Sequence, residues 1–292
     1  MSAKILVTGA TGNFGKKTIE LLLEKGIAAT NISALVRDDV KATDLKDKGI
    51  TIKTGDYDNY ESLLAAFQGI DKLLLVSGTD LENRSKQQLN VVKAAKESGV
   101  KHIIYTSFER INETETSPIA FLAKSHIDTD NAIKASGMNY TILRNNLYLD
   151  VLPMFLGEQV LESGIYFPAG EGQAAYVSRN DLAEVAANVL TSEGHENKEY
   201  KMNNIENYSM KKIAETLSEI TNKTVSYFSP TSEEYKETLK NAGVPNEYID
   251  MFIGFAEAIK QGEFTIETTD LEKLLGRKPT SLSDFLKQVY LK

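Results

Sequence analysis

The junction between the first apolar run and the helix after it constrains this chain more than any other feature. Ile5-Leu6-Val7-Thr8-Gly9-Ala10-Thr11-Gly12-Asn13-Phe14-Gly15 takes a short strand directly into G-x-x-G-x-x-G and on into a helical stretch ending near residue 25. Each glycine has a task at that spacing: Gly9 permits the tight turn, Gly12 lets backbone approach a pyrophosphate, and Gly15 lets the helix pack on the strand. The helix start then turns N–H groups and its positive pole toward the anion. Gly9, Thr11, Gly12, Asn13, Phe14 and Gly15 are therefore candidate cofactor contacts. A nucleoside-triphosphate loop is excluded, because position 10 is Ala10 where that loop needs glycine and position 17 is Lys17 where it needs Ser or Thr.

The strand–helix alternation then repeats along the first half of the chain. Compact apolar runs at 5–8, 32–36, 50–53, 72–76, 102–106 and 140–143 are separated by amphipathic stretches at about 13–25, 39–48, 59–68, 82–98 and 121–136. Strict alternation of this kind predicts a parallel sheet with crossover helices on both faces. The expected fold class is α/β: a doubly wound parallel sheet of the NAD(P)-binding Rossmann type, with a smaller, helix-rich C-terminal substrate domain. The expected division is 1–147 for the NADP(H)-binding domain and 148–292 for the substrate-binding part, with a strand or helix from 165–202 free to return to the first. In the second part, helical stretches at 148–162 and 180–192, short strands at 165–168, 198–202 and 225–227, and an apolar run at 176–177 precede a mainly helical segment from 209.

Composition narrows the chemistry. The 292 residues contain no cysteine, which removes thiol nucleophiles, disulfides and Cys-ligated metals. Only His102, His126 and His195 are present, far apart in sequence, so no metal site is expected. With 33 Lys plus Arg against 41 Asp plus Glu, the net charge of −8 argues against a nucleic-acid partner. No run reaches the length of a membrane span and the N-terminus lacks a signal-peptide core, so no membrane partner and a cytoplasmic location are expected.

The end of the second strand distinguishes the two nicotinamide cofactors. An NAD site places an acidic group there for the ribose 2′-hydroxyl, whereas this chain reads Leu35-Val36-Arg37-Asp38. A guanidinium suits a 2′-phosphate and stacks on adenine, so Arg37 favours NADP(H), with NAD(H) bound more weakly. Asp38 or Asp39 is expected to cap the next helix. Asp56 and Tyr57, after the third strand, lie where adenine would sit. Ligands in such sheets bind beyond the carboxyl ends of the strands, which adds Ser77 and Gly78, Thr106 and Ser107, and Asn145 as candidate cofactor contacts.

Taken together, the Gly9–Gly15 turn, Arg37, the Gly55-Asp56-Tyr57 step, Tyr105-Thr106-Ser107 and Leu143-Arg144-Asn145-Asn146 resemble the NmrA-like branch of the atypical short-chain dehydrogenase/reductases, over essentially the whole length. The stretches 62–78, 89–107, 140–150 and 194–200 are most similar to its quinone- and triphenylmethane-dye-reducing members. The resemblance implies an NADP(H)-binding Rossmann domain, a small C-terminal substrate domain and a cleft between them.

One departure bears on mechanism. Typical short-chain dehydrogenases carry Tyr-x-x-x-Lys at the start of the helix at 121–136, where Lys lowers the Tyr pKa for proton transfer. Here the row is Phe121-Leu122-Ala123-Lys124-Ser125-His126, so if His126 holds the Lys place, Leu122 holds the Tyr place. Tyr208–Lys212 has the spacing but lies far along the chain. Without that relay the chain fits hydride delivery to a quinone or a cationic triarylmethyl dye, acceptors that ask mainly for proximity and a water-poor stacking surface. His126 and Lys124 are the candidate catalytic residues, and Tyr148, Phe155 and Tyr166 the candidate substrate contacts for a small aromatic or quinone-like substrate. A non-catalytic NADP(H)-binding redox sensor fits the missing relay equally well. A sugar-nucleotide epimerase fits it poorly.

Overall fold

The apolar runs at the N-terminal side become strands, each followed by a helix, in a computed structural model that describes residues 3–291. In order these are β1 (Ile5–Val7), α1 (Asn13–Glu24), β2 (Ile32–Val36), α2 (Thr43–Asp47), β3 (Thr51–Thr54), α3 (Tyr60–Phe67), β4 (Lys72–Leu75), α4 (Arg84–Glu97), β5 (His102–Phe108), α5 (Ala120–Ala135) and β6 (Asn139–Asn145). The second half supplies α6 (Leu152–Leu156), α7 (Val160–Ser163), β7 (Ile165–Tyr166), β8 (Gln173–Ala174), α8 (Arg179–Thr191), β9 (Lys198–Met202) and β10 (Tyr208–Ser209). It ends with α9 (Met210–Thr221), β11 (Tyr227–Phe228), α10 (Ser232–Asn241), α11 (Asn246–Lys260), α12 (Leu271–Leu275) and α13 (Leu282–Tyr290).

Seven strands form one parallel sheet in the order β3-β2-β1-β4-β5-β6-β9. Every residue of β1, β2 and β5 is buried, because helices cover both faces, and this is why those strands read as mainly apolar runs. On one face Ile19 and Leu22 of α1 pack with Leu182, Val185 and Val189 of α8 and Leu271 of α12. On the other, Leu63 and Phe67 of α3, Val91 and Ala95 of α4 and Ile133 of α5 close a second layer. The strand order reverses between β1 and β4, which leaves a crevice at their carboxyl ends for a ligand.

A third apolar core lies outside the sheet, built by α6, α7, α9, α11 and α13 around Phe155, Phe167, Leu217, Phe252 and Phe264. Two small pairings brace it: β7 with β11, parallel, and β8 with β10, antiparallel. From the 165–202 window, α8 lies against α1 and β9 joins the sheet beside β6.

Details differ from the sequence expectation where polar residues stay in the ladder. β5 and β6 run on through Ser107 and Asn145, since Ser107 registers with Arg144, Phe108 with Asn145, and Asn145 in turn with Met202 of β9. The stretch at 39–48 is a 3-10 turn, Asp39–Ala42, followed by the short α2. The stretch at 148–162 is likewise divided, into a 3-10 turn, α6 with Pro153 in its first turn, and α7.

Candidate cofactor and active site

The glycine turn forms an anion cradle. Gly9 takes φ +57°, in the left-handed region that glycine occupies without a steric penalty. A Cβ on Gly15 would stand 2.8 Å from the Gly9 carbonyl carbon and 2.9 Å from the Thr8 carbonyl oxygen, so α1 approaches the turn as closely as it does only because position 15 has no side chain. Gly12 donates to the Gly9 carbonyl (2.9 Å) and caps α1 with no side-chain hydrogen bond and no acid in the first turn. The first N–H groups of α1 are therefore left for an external acceptor. Thr11, Gly12 and Asn13 are exposed around this start, whereas the Phe14 ring is buried in the core beside α1. Phe14 thus offers its backbone N–H, not its side chain.

At the end of β2, Arg37 is exposed. The acids after it are engaged elsewhere: Asp38 accepts from the Val40 N–H (3.0 Å) and Asp39 pairs with Lys46 (2.8 Å). Asp56 turns its carboxylate to the Asp58 N–H (3.0 Å). Tyr57 reaches across to donate to the Val76 carbonyl (3.2 Å), and burial there raises its phenol pKa.

The loop after β4 is held from every side. Val76 N–H donates to Thr8 Oγ1 (2.9 Å), Ser77 N–H to Thr106 Oγ1 (2.9 Å) and Gly78 N–H to Gln88 Oε1 (3.3 Å), while the Gly78 carbonyl faces Arg84 Nη1 (3.4 Å). Thr106 is therefore a brace for Ser77 and Gly78. Ser107 Oγ and Asn145 Oδ1 are buried with no protein partner, and Asn145 Nδ2 donates to the Tyr148 hydroxyl (3.3 Å).

Behind that loop lies a buried polar chain. Gln88 Nε2 donates to the Tyr105 hydroxyl (3.1 Å) and to Thr129 Oγ1 (2.8 Å), and Tyr105 in turn meets His126 Nδ1 at 2.7 Å. The His126 ring lies between Tyr105 and Phe108, with centroids 5.9 and 5.7 Å away. Burial, aided by the positive charges of Arg84 and Arg110, pushes the His126 pKa well below its ordinary value, and burial raises that of Tyr105. Beside this chain Arg110 and Asp130 form a buried ion pair at 2.8 Å, and the buried Glu109 carboxyl is raised by desolvation.

The other sequence candidates separate. Lys124 points to solvent and pairs with Asp128 at 3.2 Å, away from the His126 chain. Tyr148 borders the polar cluster through Asn145, and the Arg179 guanidinium lies 5.1 Å above its ring. Phe155 is buried in the C-terminal core, stacked on Phe167 with centroids 4.9 Å apart. Tyr166 lies at the surface on β7, stacked on Phe228 at 5.8 Å. The structure joins Tyr148 to Asn145 at the end of β6 and His126 to Tyr105 and Phe108 of β5, and leaves Lys124, Phe155 and Tyr166 outside these contacts.

The NmrA-like family model matches residues 1–286 of this chain. The chain belongs to the NmrA-like family. Quinone oxidoreductase 2 of Escherichia coli is 34% identical over 287 residues, covering 98% of each chain. An NAD(P)H azoreductase of Xenophilus azovorans is 29% identical over 285 residues, covering 97% of this chain and 96% of that one. The solved structure of Citrobacter sp. triphenylmethane reductase complexed with NADP(H) superposes with a TM-score of 0.90 at 41% identity, covering 97% of this chain and 99% of that one.

Three members of the site in this NmrA-like chain were not assigned a role from sequence: Arg84, Gln88 and Tyr105. A signal was present in α4. Val91 and Ala95 mark its buried stripe, and continuing that stripe toward the N-terminus lands on Gln88, Gln87 and Arg84, all buried. Polar residues on an apolar stripe call for buried partners. Among the described residues no helix is long and apolar enough to cross a membrane, and no group of three His, Cys, Asp or Glu residues is placed to hold a metal ion.

Proposed function

We propose that this chain is an NADPH-dependent reductase that delivers hydride to a quinone-like or extended conjugated acceptor. The observation that carries this reading is the uncapped start of α1 behind Gly9, Gly12 and Gly15, with Arg37 exposed at the end of β2. These residues fit NADP(H): the N–H groups of Asn13, Phe14 and Gly15 suit a pyrophosphate, and Arg37 suits a 2′-phosphate. NAD(H), lacking that phosphate, binds more weakly. The names of the relatives, a quinone oxidoreductase, an azoreductase and a dye reductase solved with NADP(H), support the same reading.

NADP(H), when bound, supplies the hydride. The protein's part is placement. The fixed loop Val76–Gly78 and the ends of β5 and β6 form a rigid floor, and residues from 148 onward supply the substrate side through Tyr148 and the C-terminal core. His126, neutral and held by Tyr105, offers its Nε2 as a hydrogen-bonding group without changing charge. If His126 holds the place of the relay lysine, Leu122 holds that of the tyrosine, which suits acceptors whose reduction needs no protein acid.

A different observation favours a second reading, an NADP(H)-binding redox sensor: His126 and Tyr105 are engaged with each other and Lys124 with Asp128. NADPH oxidation at saturating cofactor, with a panel of quinones and a panel of triarylmethyl dyes, tests the reductase. Saturable turnover with either panel is expected. No turnover with both overturns it, and comparison of NADP+ and NADPH affinities then tests the sensor. Isomerisation of a nucleotide sugar would revive the epimerase.

A further inference from the structure

Arg84, the first residue of α4, is 4% exposed, and every group it bonds is neutral. Its Nε donates to Ser125 Oγ (2.8 Å), Nη2 to the Leu122 carbonyl (3.0 Å) and Nη1 toward the Gly78 carbonyl (3.4 Å). The titratable groups that face it are two phenols, Tyr105 and Tyr148, whose own pKa values burial raises, so neither supplies a counter-ion, and burial lowers the pKa of Arg84. None of the nearby acids bonds the guanidinium: Asp80 accepts from Asn83 (3.0 Å) and Gln87 (3.2 Å), Asp58 from Gln87 (2.9 Å), and Asp128 from Ser85 (2.7 Å) and Lys124 (3.2 Å). A guanidinium does not lose its proton in a protein, and a buried charge without a counter-ion is strongly costly. The Asp80 carboxylate accepts from the Asn83 N–H (3.1 Å) and offsets the positive pole at the start of α4, so the positive potential behind Gly78, Tyr105 and His126 comes from the buried guanidinium itself.

We propose that Arg84 selects the charge type of the hydride acceptor, favouring quinones, whose reduction places negative charge on oxygen, over cationic triarylmethyl dyes. The inference rests on the reductase reading and narrows its acceptor class. With a quinone, the C–H bond of NADPH breaks, its hydrogen and both electrons pass to the acceptor, and one oxygen is left as a phenolate that takes a proton from water. With a cationic dye, the same hydride forms a C–H bond at the central carbon and the product is neutral. A fixed positive charge stabilises the first transition state and opposes binding of the second substrate.

The test compares kcat/KM for 1,4-naphthoquinone and for malachite green, with NADPH saturating, in the wild type, Arg84→Gln and Arg84→Lys. The wild type is expected to prefer the quinone, Arg84→Gln to lower the quinone-to-dye ratio by about tenfold or more, and Arg84→Lys to keep most of it. A purely structural role would lower both rates together, and an unchanged ratio overturns the proposal. Because Arg84→Gln removes a buried brace, a second measurement uses the unaltered protein loaded with NADP+. Bound 4-nitrophenol is expected to ionise at a lower pH than the free phenol, by about one unit or more. Ionisation at the same or a higher pH overturns the proposal. A wild type that oxidises NADPH with neither acceptor overturns the reductase reading and this selection with it.

Discussion

The Tyr105 hydroxyl lies 2.7 Å from His126 Nδ1, and the groups around it decide which atom carries the proton. Gly78 N–H fixes the Gln88 amide with its oxygen toward the loop, so Gln88 Nε2 donates to Tyr105. Tyr105 must then donate to His126, which places the imidazole proton on Nε2. Both groups keep their protons where they are, since burial disfavours the imidazolium and the tyrosinate alike. Tyr105→Phe leaves His126 Nδ1 and one Gln88 donor buried without partners. The expected loss is about 1–3 kcal/mol, read by urea denaturation; an unchanged midpoint would show that the pair is not buried as described.

His102 makes stability depend on pH. Burial, with repulsion from Lys72, holds its pKa down at about 4, against an ordinary 6.5. As the pH falls through about 6.5 the unfolded chain takes up a proton that folded His102 refuses until about 4. The unfolded state binds more protons in that window, so stability falls with falling pH. The contribution is about 3 kcal/mol between pH 7 and 4, and His102→Gln is expected to lose that much less over the same range in denaturant titrations.

Asp130 and Arg110 are joined at 2.8 Å with both side chains 2% exposed. Asp130→Ala leaves the buried Arg110 guanidinium with only the half-exposed Glu113, 3.1 Å from its Nε, as counter-ion, and is expected to cost about 3 kcal/mol in equilibrium unfolding. Asp130→Ala unfolding at the wild-type denaturant concentration would mean that Glu113 alone compensates the Arg110 charge.

In the proposed reading, cofactor choice turns on Arg37. Arg37→Glu is expected to weaken NADPH about 10- to 100-fold in a fluorescence titration, the size of a lost charge-assisted contact, with NADH changed by less than about threefold. Equal losses for both cofactors would remove the 2′-phosphate assignment.

Gly15→Ala introduces a Cβ against backbone, 2.8 Å from the Gly9 carbonyl carbon, which no rotamer can relieve. The expected result is about 1–3 kcal/mol of destabilisation by thermal melting and weaker binding of NADPH and NADH together. Loss of NADPH binding alone would contradict the geometry of the turn.

The central strands were readable because a parallel strand covered on both faces is an uninterrupted apolar run, and the glycine turn because its spacing is imposed by backbone contact. The strand ends were not readable: Ser107, Arg144 and Asn145 look like loop residues, and only the neighbouring strands keep them in the ladder. His126 stood out as a candidate but its environment was not legible, since its partner Tyr105 comes from a strand 21 residues earlier and its neighbour Arg84 from another helix. Phe155 shows the converse. An aromatic on a short helix reads equally well as cleft or core, and its stacking on Phe167 decides for core.

The path of the chain after β6 also governs how the molecule can move. It leaves the sheet to begin the C-terminal core, returns for α8 and β9, leaves again for α9 to α11, and comes back to lay α12 on the sheet side before α13 ends in the C-terminal core. The two cores are therefore sewn together by several strands of chain. Any closing of one core on the other would have to bend the chain at each of these crossings together. A protein cut after residue 147 would also carry a bare β6 edge and an uncovered α1 face, and would be expected to aggregate.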